Sequence, residues 1–504
     1  MPTTPWWAAT GTLFLLLFLI LTIGHALTLR PWSDEGHFAN AAYTLATHGY
    51  LGTPVFGDHA KLPEIQRYTY WVLPFHLLNL AAFYKLFGFS LLATRAVSIL
   101  YGLGALAAVF WLVFALTRDR LTAAICVVVV GLEYNFLLAA SFGRMDITAA
   151  ALGLGAYAAY VGLRRPARLT AALLVSNALL ALAALTHPAA ILYAFGLLFL
   201  VLYYDRKQLR WRHVLAVAAP YLIGAAAYGA YILESPGSYW AQIRANAAAA
   251  GRLSGVTDPI GSFLAEFTHR YRNVIGLPQA HADSHAGPIA LKLVPWVAFL
   301  ASLMCVLLLK PLRRAKPYRP LLALWAIHFL GLSLLEGQKL SIYVVHIAPL
   351  FAMLCGVTWV EFWRRKLLPR TALAAAGLLL VAIPVGGILL KIRTDTYHKN
   401  HLPAVAFLQR TARPPDVVMG YAGLGFDYGF AKRLLDDSEL GCRSHIAPAY
   451  IVIEQIYRNN VRDMVEAGHP CADFLTRRLS DEYTCVYDHN FYQVYARREG
   501  GSAE

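Results

Sequence analysis

Long apolar runs separated by short polar connections fill the chain up to about residue 390. A helix needs about 17–25 mostly apolar residues to cross a bilayer. Eleven runs have that length: 7–28, 93–117, 121–140, 147–163, 170–186, 188–204, 213–233, 289–310, 319–335, 340–360 and 370–390. The pattern predicts a polytopic α-helical membrane protein with about eleven spanning helices.

Residues 71–84 form a shorter apolar run that contains several polar positions. Its length suits a helix that lies at the membrane interface better than one that crosses the bilayer. We therefore place it in a long outer loop, 29–92. The same loop is predicted to contain a helix over 35–47, with Ser33 or Asp34 as its N-cap.

Basic side chains cluster at every second connection between the predicted spans. The five clusters lie at 118–120, 164–168, 206–212, 310–319 and 364–370. The short connections on the other side contain only Arg144 and Lys339. Because Lys and Arg favour the cytoplasmic side, the clusters and the N-terminus are predicted to be cytoplasmic. The loops 29–92 and 234–288 then lie on the outer face.

The composition fits a membrane protein and excludes several other classes. Of the 504 residues, 58% are hydrophobic and only 14% are charged, whereas about a quarter of a soluble protein is charged. The net charge of +15 does not indicate nucleic-acid binding, because the basic residues come in short groups between apolar runs. No Walker A or dinucleotide-binding fingerprint supports nucleotide use.

The last part of the chain, 391–504, is more charged and has few long apolar runs. Its alternating pattern predicts four strands, at 417–419, 450–453, 484–487 and 491–494. It also predicts one helix, at 454–467. We divide the chain into a membrane domain, 1–390, and a small soluble α/β domain, 391–504, on the outer face. An outer location permits one disulfide, with the pairing open, among Cys442, Cys471 and Cys485.

Two adjacent carboxylates, Asp34 and Glu35, follow the first predicted span. Acidic groups at a membrane exit are costly unless they have a partner or a function. The alternative is a structural role, in which a carboxylate caps the following helix and interacts with its dipole. That role needs only one carboxylate, whereas the chain has two. We therefore predict a catalytic role for the pair.

A third acid, Asp146, lies close to Arg144 at the outer end of the third predicted span. We predict that Asp146 is catalytic and faces the first pair of acids. Two such carboxylates could share an acceptor hydroxyl or a metal ion. An Arg–Asp pair that closes the helix end is the alternative.

The late connection contains Lys339 and Tyr343, four residues apart at the start of an outer helix. A cation and a phenol at a helix N-terminus suit a phosphate group. The alternative is a lysine that extends to the interface and an interfacial tyrosine.

The remaining candidates are scattered over the outer face. We predict that a substrate pocket includes His37, Glu64, Tyr68, Tyr70 and His187. An interfacial aromatic belt explains the tyrosines better than a sugar-stacking surface does. Loop solvation explains Arg252 and Arg270 as well as a phosphate contact does.

These motifs together resemble the C-type-fold glycosyltransferases of family 39. That family includes protein O-mannosyltransferases and bacterial lipid A aminoarabinose transferases. The resemblance covers about residues 8–390. It rests on the outer Asp-Glu turn, the Arg-x-Asp at 144–146 and the run K-L-S-I-Y-V-V-H-I-A-P that begins at Lys339. It implies sugar transfer from a polyprenyl phosphate on the outer face, with Asp34 and Asp146 at the two acidic positions.

The resemblance also implies a donor-phosphate site, for which the candidates are Lys339, Tyr343, Arg252, Arg67 and Arg144. Many bacterial members carry Lys-Pro-Pro before Tyr-Trp in the first loop, where this chain has E-I-Q-R-Y-T-Y-W from Glu64. Arg67 or Lys61 is then the replacement cation. A metal in some relatives involves a glutamate and a histidine. Glu64 is a candidate ligand without a clear histidine partner, so we require no cofactor and leave a divalent metal open.

The predicted function is transfer of a sugar from a polyprenyl-phosphate donor to a lipid, glycan or protein acceptor. The predicted location is a bacterial inner membrane, with the site facing the periplasm and no nucleic-acid partner. The alternative is a transporter or flippase of a lipid-linked sugar. It would need polar groups around a midplane site, whereas the predicted spans are apolar. A non-catalytic receptor would leave the outer acids unexplained.

Overall fold

The computed structural model describes residues 6–57, 62–248, 252, 254–275, 289–315, 317–431 and 433–498, and every structural statement below concerns these ranges. Lys61, one of the two candidate cations in the first loop, lies outside them.

Most of the described chain is helical, as the apolar runs predict. Eight helices are long and apolar enough to cross a membrane: Thr10–Thr28, Leu91–Thr117, Met145–Leu163, Pro166–Ala184, Trp211–Ile232, Leu291–Leu308, Tyr318–Leu335 and Arg370–Thr411. The bent pair Arg120–Gly131 and Tyr134–Ser141 makes a ninth if it is one span. The two other predicted runs form the helices Ala190–Asp205 and Ala348–Arg365, of 16 and 18 residues. The predicted polytopic helical fold is confirmed.

The predicted span 121–140 is interrupted, and its two helices meet at an angle of 68°. The cause is Glu133, whose carboxylate accepts hydrogen bonds from the Phe136 backbone N–H (2.8 Å) and from the Asn135 side chain (2.7 Å). A carboxylate that caps a new helix satisfies free N–H groups at its first turn. An acid inside an apolar run is the sequence signal for this break.

The outer loops contain further helices. Those of the first loop are Ser33–His48, Pro54–Phe56 and Pro74–Phe87. Those of the second are Pro236–Ala248, Ser254–Thr257, Pro259–Ala265, Glu266–Tyr271 and Arg272–Ile275. Outside these two loops, other connections contain the short helices Arg206–Gln208, Lys310–Arg314 and Ser341–His346. The predicted helices over 35–47 and 71–84 are therefore present, and the interfacial position of the second stays a prediction.

The N-cap predicted for the first of these helices is wrong. The helix starts at Ser33, and its N-cap is Trp32. The Trp32 backbone N–H donates to Glu35 Oε2 at 3.0 Å. A carboxylate at the third helical position therefore closes this end, as in a capping box.

The C-terminal region forms a mixed five-stranded sheet. Its strands are β1 Val418–Met419, β2 Leu434–Leu435, β3 Tyr450–Ile453, β4 Tyr483–His489 and β5 Tyr492–Arg497, in the order β2-β1-β3-β5-β4. The pairs β1–β2 and β1–β3 are parallel, and β5 is antiparallel to β3 and β4. Helices accompany the sheet at Ala422–Leu424, Gly425–Gly429, Gln455–Glu466, Ala472–Arg477 and Arg478–Glu482. Only β2, which has two residues, was not predicted.

The C-terminal region contains the disulfide Cys442–Cys471, which resolves the pairing that the sequence left open. Cys485 is a free, exposed thiol. The predicted division at residue 390 stays a prediction, since the helical segment Arg370–Thr411 continues through it.

The C-terminal region packs directly against the helix Ser33–His48. A Cβ on Gly36 would lie 2.3 Å from the backbone carbonyl carbon of Ala422, so only glycine permits this approach. Val55 of the first loop belongs to the hydrophobic core of the C-terminal region. The helix that begins with Ser33 and Asp34 is therefore positioned by both parts of the chain.

Candidate active site

Glu35 forms a fully buried ion pair with Arg95 on the helix Leu91–Thr117. Both side chains are 0% exposed, and Glu35 Oε1 and Oε2 accept from Arg95 Nε (2.8 Å) and Nη2 (2.7 Å). The Gly143 backbone N–H donates to Glu35 Oε1 at 2.7 Å, in addition to the cap bond from Trp32. The carboxylate is thus occupied by four donors. This geometry favours a positioning role over the catalytic role predicted for Glu35.

Arg95 extends this contact to the end of the first membrane helix. Its Nη1 donates to the carbonyl oxygens of Ala26 and Leu29, both at 2.7 Å, and Nη2 donates to that of Arg30. These carbonyls lie at a helix C-terminus, where no intrahelical donor is available. One arginine therefore joins the end of the first helix to the start of the helix that carries Asp34.

The two predicted catalytic aspartates are brought together, with Arg144 between them. Arg144 Nε donates to Asp146 Oδ2 at 2.9 Å, and its Nη1 pairs with Asp34 Oδ2. The guanidinium also stacks on the Trp32 ring, 4.9 Å from the ring centre. Asp146 is buried, whereas 38% of the Asp34 side chain is exposed. Asp34 is therefore the acid that a substrate can reach.

His187 and Tyr343 lie beside Asp146. His187 Nε2 is 3.9 Å from Asp146 Oδ1, and its ring centre is 5.3 Å from that of Tyr343. Burial lowers the pKa of His187 to about 4. The charge of Asp146 opposes this shift, and the charges of Arg144 and Arg252 add to it. The histidine is therefore neutral at physiological pH.

His346, which the sequence did not identify as a candidate, stacks on His187 with 5.6 Å between ring centres. This histidine belongs to the late motif, seven positions after Lys339, so the motif itself could have identified it. Its Nδ1 shares a hydrogen bond with the Tyr193 hydroxyl (3.2 Å), and its buried Nε2 has no hydrogen-bond partner.

Asp146, His187 and His346 offer one oxygen and two nitrogens that all lie within 4.8 Å of one another. One carboxylate and two imidazoles are a common ligand set for zinc. Asp146 Oδ1 and His346 Nε2 fit this role, because both are buried without a hydrogen bond. His187 fits only after a change of tautomer, since its Nδ1 accepts from the Ala189 N–H at 3.1 Å and Nε2 then carries the proton. Glu64 belongs to no such group among the described residues.

Lys339 lies in a buried chain of alternating charges. Its Nζ donates to the Ser333 carbonyl oxygen at 2.7 Å and lies 3.3 Å from Glu266 Oε2. Glu266 pairs with Arg270, and Arg270 pairs with Glu336. Burial raises the pKa of Glu266, although the charge of Arg270 opposes this shift. Burial lowers the pKa of Lys339, although the charge of Glu266 opposes that shift.

The contacts of Lys339 and Arg270 change their interpretation. Lys339 is 3% exposed and already paired, so the geometry favours a structural role over the predicted direct phosphate contact. Arg270 is fully buried, so loop solvation is the wrong explanation for it.

The backbone of Arg252 contacts the late connection, because its carbonyl oxygen accepts a hydrogen bond from the Gly337 N–H at 3.3 Å. Its Nε is buried without a hydrogen-bond partner, and its charge contributes to the lowered pKa of His187. A buried guanidinium nitrogen with no acceptor is a ready site for an anion.

The other pocket candidates form a second group. Glu64 accepts from the hydroxyls of Ser235 and Ser238, which lower its pKa. Tyr68 stacks on Tyr70, with 5.8 Å between ring centres. Next to them lies a cavity of about 340 Å³, lined by Arg67, Glu234, Tyr50, Tyr68, Tyr228, Tyr231 and several apolar side chains. Of the predicted candidates, Arg67 and Tyr68 therefore line this cavity, and Tyr70 contacts the cavity-lining Tyr68.

His37 is the predicted pocket residue that links the acidic cluster to the C-terminal region. Its Nε2 donates to Asp436 Oδ2 at 2.8 Å, and its Nδ1 lies 3.9 Å from Asp34 Oδ1.

The fold matches solved membrane transferases over nearly the whole chain. ArnT from Cupriavidus metallidurans bound to undecaprenyl phosphate aligns with a TM-score of 0.61 at 16% identity, covering 99% of both chains. The oligosaccharyltransferase of Archaeoglobus fulgidus in its apo form aligns with a TM-score of 0.55 at 14% identity, covering 97% of this chain and 75% of that one. At these identities the likeness is one of fold. No family model and no curated protein sequence matches the chain.

The Glu35–Arg95 pair gives a test of the positioning role. We expect Glu35→Gln to lower the free energy of unfolding by about 3–5 kcal/mol, because it leaves the buried Arg95 without a countercharge. Thermal unfolding of the purified protein in detergent measures this change. Asp34→Asn is the matched control, since Asp34 is partly exposed and Arg144 keeps Asp146 as its partner. Equal stability of the two variants would contradict the assignment.

Proposed function

We propose that the protein is an integral-membrane glycosyltransferase that moves a sugar from a polyprenyl-phosphate donor to a hydroxyl or phosphate of a lipid, glycan or protein acceptor. The observation that carries this proposal is one reachable carboxylate, Asp34, held by Arg144, together with a buried Arg252 Nε that has no hydrogen-bond partner and whose charge acts on His187 of the same cluster. Glycosyl transfer needs a base for the acceptor and cations for a leaving phosphate. The fold supports it, because ArnT with this fold was solved with undecaprenyl phosphate.

In this mechanism Asp34 accepts the proton of the acceptor hydroxyl as the acceptor oxygen attacks the sugar C1. The bond between C1 and the phosphate oxygen breaks, and its electron pair stays on the phosphate. Arg252 stabilises that charge, and Arg144 holds Asp34 and Asp146 in place. Lys339, Glu266 and Arg270 shape the connection against which Arg252 packs. A polyprenyl phosphate is a good leaving group, so strong acid catalysis is unnecessary.

We further propose that the site and the C-terminal region face the periplasm of a bacterial inner membrane, with the N-terminus in the cytoplasm. Five basic clusters on the opposite connections support this orientation. The disulfide Cys442–Cys471 supports it independently, because disulfides persist in oxidising compartments.

Transport of a lipid-linked sugar is the alternative. The helices contain more buried polar groups than the sequence analysis expected, such as the contacts His25–Ser141 and Tyr157–His328. These groups are paired with each other, however, and the acids of the candidate site gather at one end of the helices. Proteoliposomes separate the two functions, since a transporter moves the lipid without cleaving its sugar-phosphate bond.

Asp34→Asn tests the catalytic assignment. We expect the variant to lose about 10²–10⁴-fold in transfer rate, because the base is removed while the fold is kept. The measurement is release of undecaprenyl phosphate from radiolabelled undecaprenyl-phosphate pentose, aminopentose and hexose in membranes that contain acceptors. Asp463→Asn, at an exposed position on the helix Gln455–Glu466, is the control. Full activity of Asp34→Asn would refute the role of Asp34.

A divalent metal at Asp146, His187 and His346 is also proposed, with charge neutralisation at the phosphate as its chemistry. We expect about one zinc equivalent per chain, and its loss in His346→Gln, because His346 Nε2 is the free nitrogen of the cluster. Elemental analysis after gel filtration measures the content, with His25→Asn as the control for loss of a buried histidine. A metal-free protein that retains activity in chelator would contradict this site.

A further inference from the structure

His37 lies between two carboxylates from opposite ends of the chain. Asp34 is one turn away on the same helix, and Asp436 follows β2 in the C-terminal region. His37 Nδ1 is 3.9 Å from Asp34 Oδ1, and Nε2 is 2.8 Å from Asp436 Oδ2. The other sides of the imidazole face the rings of Phe56 and Trp71, with centres 4.5 and 6.0 Å away.

Asp436 is buried and receives hydrogen bonds only. Besides His37, its donors are the Ala422 backbone N–H (2.6 Å), the Tyr457 hydroxyl (2.5 Å) and the Ser33 hydroxyl (3.3 Å). Burial alone would raise the pKa of Asp436, but His37 and these donors hold it below its usual value. Asp436 is therefore a fixed negative charge.

The charge on Asp436 sets the tautomer of His37. A carboxylate has no proton to donate, so His37 Nε2 carries the hydrogen in their 2.8 Å contact. In the neutral ring, Nδ1 then presents its lone pair toward Asp34. The other oxygen of Asp34 is paired with Arg144, which leaves Oδ1 as the atom that faces His37.

From this arrangement we propose that Asp436, His37 and Asp34 form a proton relay in which His37 receives the proton that Asp34 takes from the acceptor. The proposal rests on the proposed glycosyl transfer. It gives the C-terminal region a direct part in the reaction, because Asp436 holds and stabilises the imidazolium. The arrangement uses the chemical logic of the His–Asp pair in serine hydrolases, with a carboxylate in place of the serine hydroxyl.

The relay accounts for every proton and electron pair of the step. The acceptor O–H bond breaks as its oxygen bonds to the sugar C1, and the C1–phosphate bond releases its electron pair to the phosphate. The proton passes through Asp34 to His37 Nδ1, which needs a side-chain rotation to close the 3.9 Å gap. The imidazolium lies between Asp34 and Asp436 until it gives the proton to water.

A purely structural contact is the competing explanation, and the chain contains a matched example of one. Arg30 pairs with Glu454, which also joins the start of the first loop to the C-terminal region. Glu454 is buried and caps the helix Gln455–Glu466 by accepting from the backbone N–H groups of Ile456 and Tyr457, and the Tyr457 hydroxyl donates to Asp436. Glu454→Gln removes the charge that pairs with Arg30 but keeps an oxygen that accepts the cap bonds, so Tyr457 and the three relay side chains keep their places.

The test compares wild type, His37→Gln, Asp436→Asn and Glu454→Gln in the full-length protein, with the same undecaprenyl-phosphate sugars as donors. Transfer rate is measured against pH, and thermal unfolding is measured in parallel. We expect Asp436→Asn and His37→Gln to lower the maximal rate about 10- to 100-fold. In Asp436→Asn the acidic limb of the profile moves to lower pH, since the imidazolium loses its countercharge. Glu454→Gln keeps the wild-type profile even where its melting temperature falls.

An Asp436→Asn profile that matches wild type would overturn the relay alone. The same pH shift in Glu454→Gln would assign the effect to docking and also overturn it. Absence of transfer by wild type with every donor would instead overturn the proposed function, and the relay with it.

Discussion

The buried pair Glu35–Arg95 is the contact on which the candidate site depends. Arg95 binds the last carbonyls of the first membrane helix, while Glu35 binds the backbone N–H groups of Trp32 and Gly143. Three separate pieces of chain therefore meet at one ion pair. Because a buried pair is costly to break, their relative positions are held firmly. Asp34 follows Trp32 by two residues, and Arg144 follows Gly143, so this pair determines where the reachable acid meets its arginine.

The rest of the site continues the same principle of alternating charge. Asp34, Arg144 and Asp146 form one series, and Lys339, Glu266, Arg270 and Glu336 form another. Buried charges are tolerated where each has an opposite neighbour. In both series the charges are largely compensated, whereas Arg252 Nε is buried without a hydrogen bond and Asp34 is partly exposed. A phosphate and an acceptor hydroxyl are the chemical partners that these two groups suit.

The sequence predicted the fold class and several members of the site for clear physical reasons. Apolar run length identifies membrane helices, and β-branched runs placed four of the five strands. Asp34, Arg144, Asp146, His187 and Tyr343 were candidates because polar residues at the predicted span ends are conspicuous. The sequence did not separate Asp34 from Glu35, since only the partner Arg95, sixty residues later, distinguishes them. It also did not identify His346, Glu266 and Asp436, because the role of each depends on a contact between segments that are distant in the sequence.

The central claim is that a polyprenyl phosphate binds at the Asp34–Arg144 cluster. A cryo-electron microscopy structure of the protein with undecaprenyl phosphate tests it most directly. We expect phosphate density in contact with the Arg252 guanidinium and beside Arg144, with Asp34 facing the oxygen that would carry the sugar. Phosphate density at Arg67 in the tyrosine-lined cavity, with Asp34 remote from it, would contradict the account.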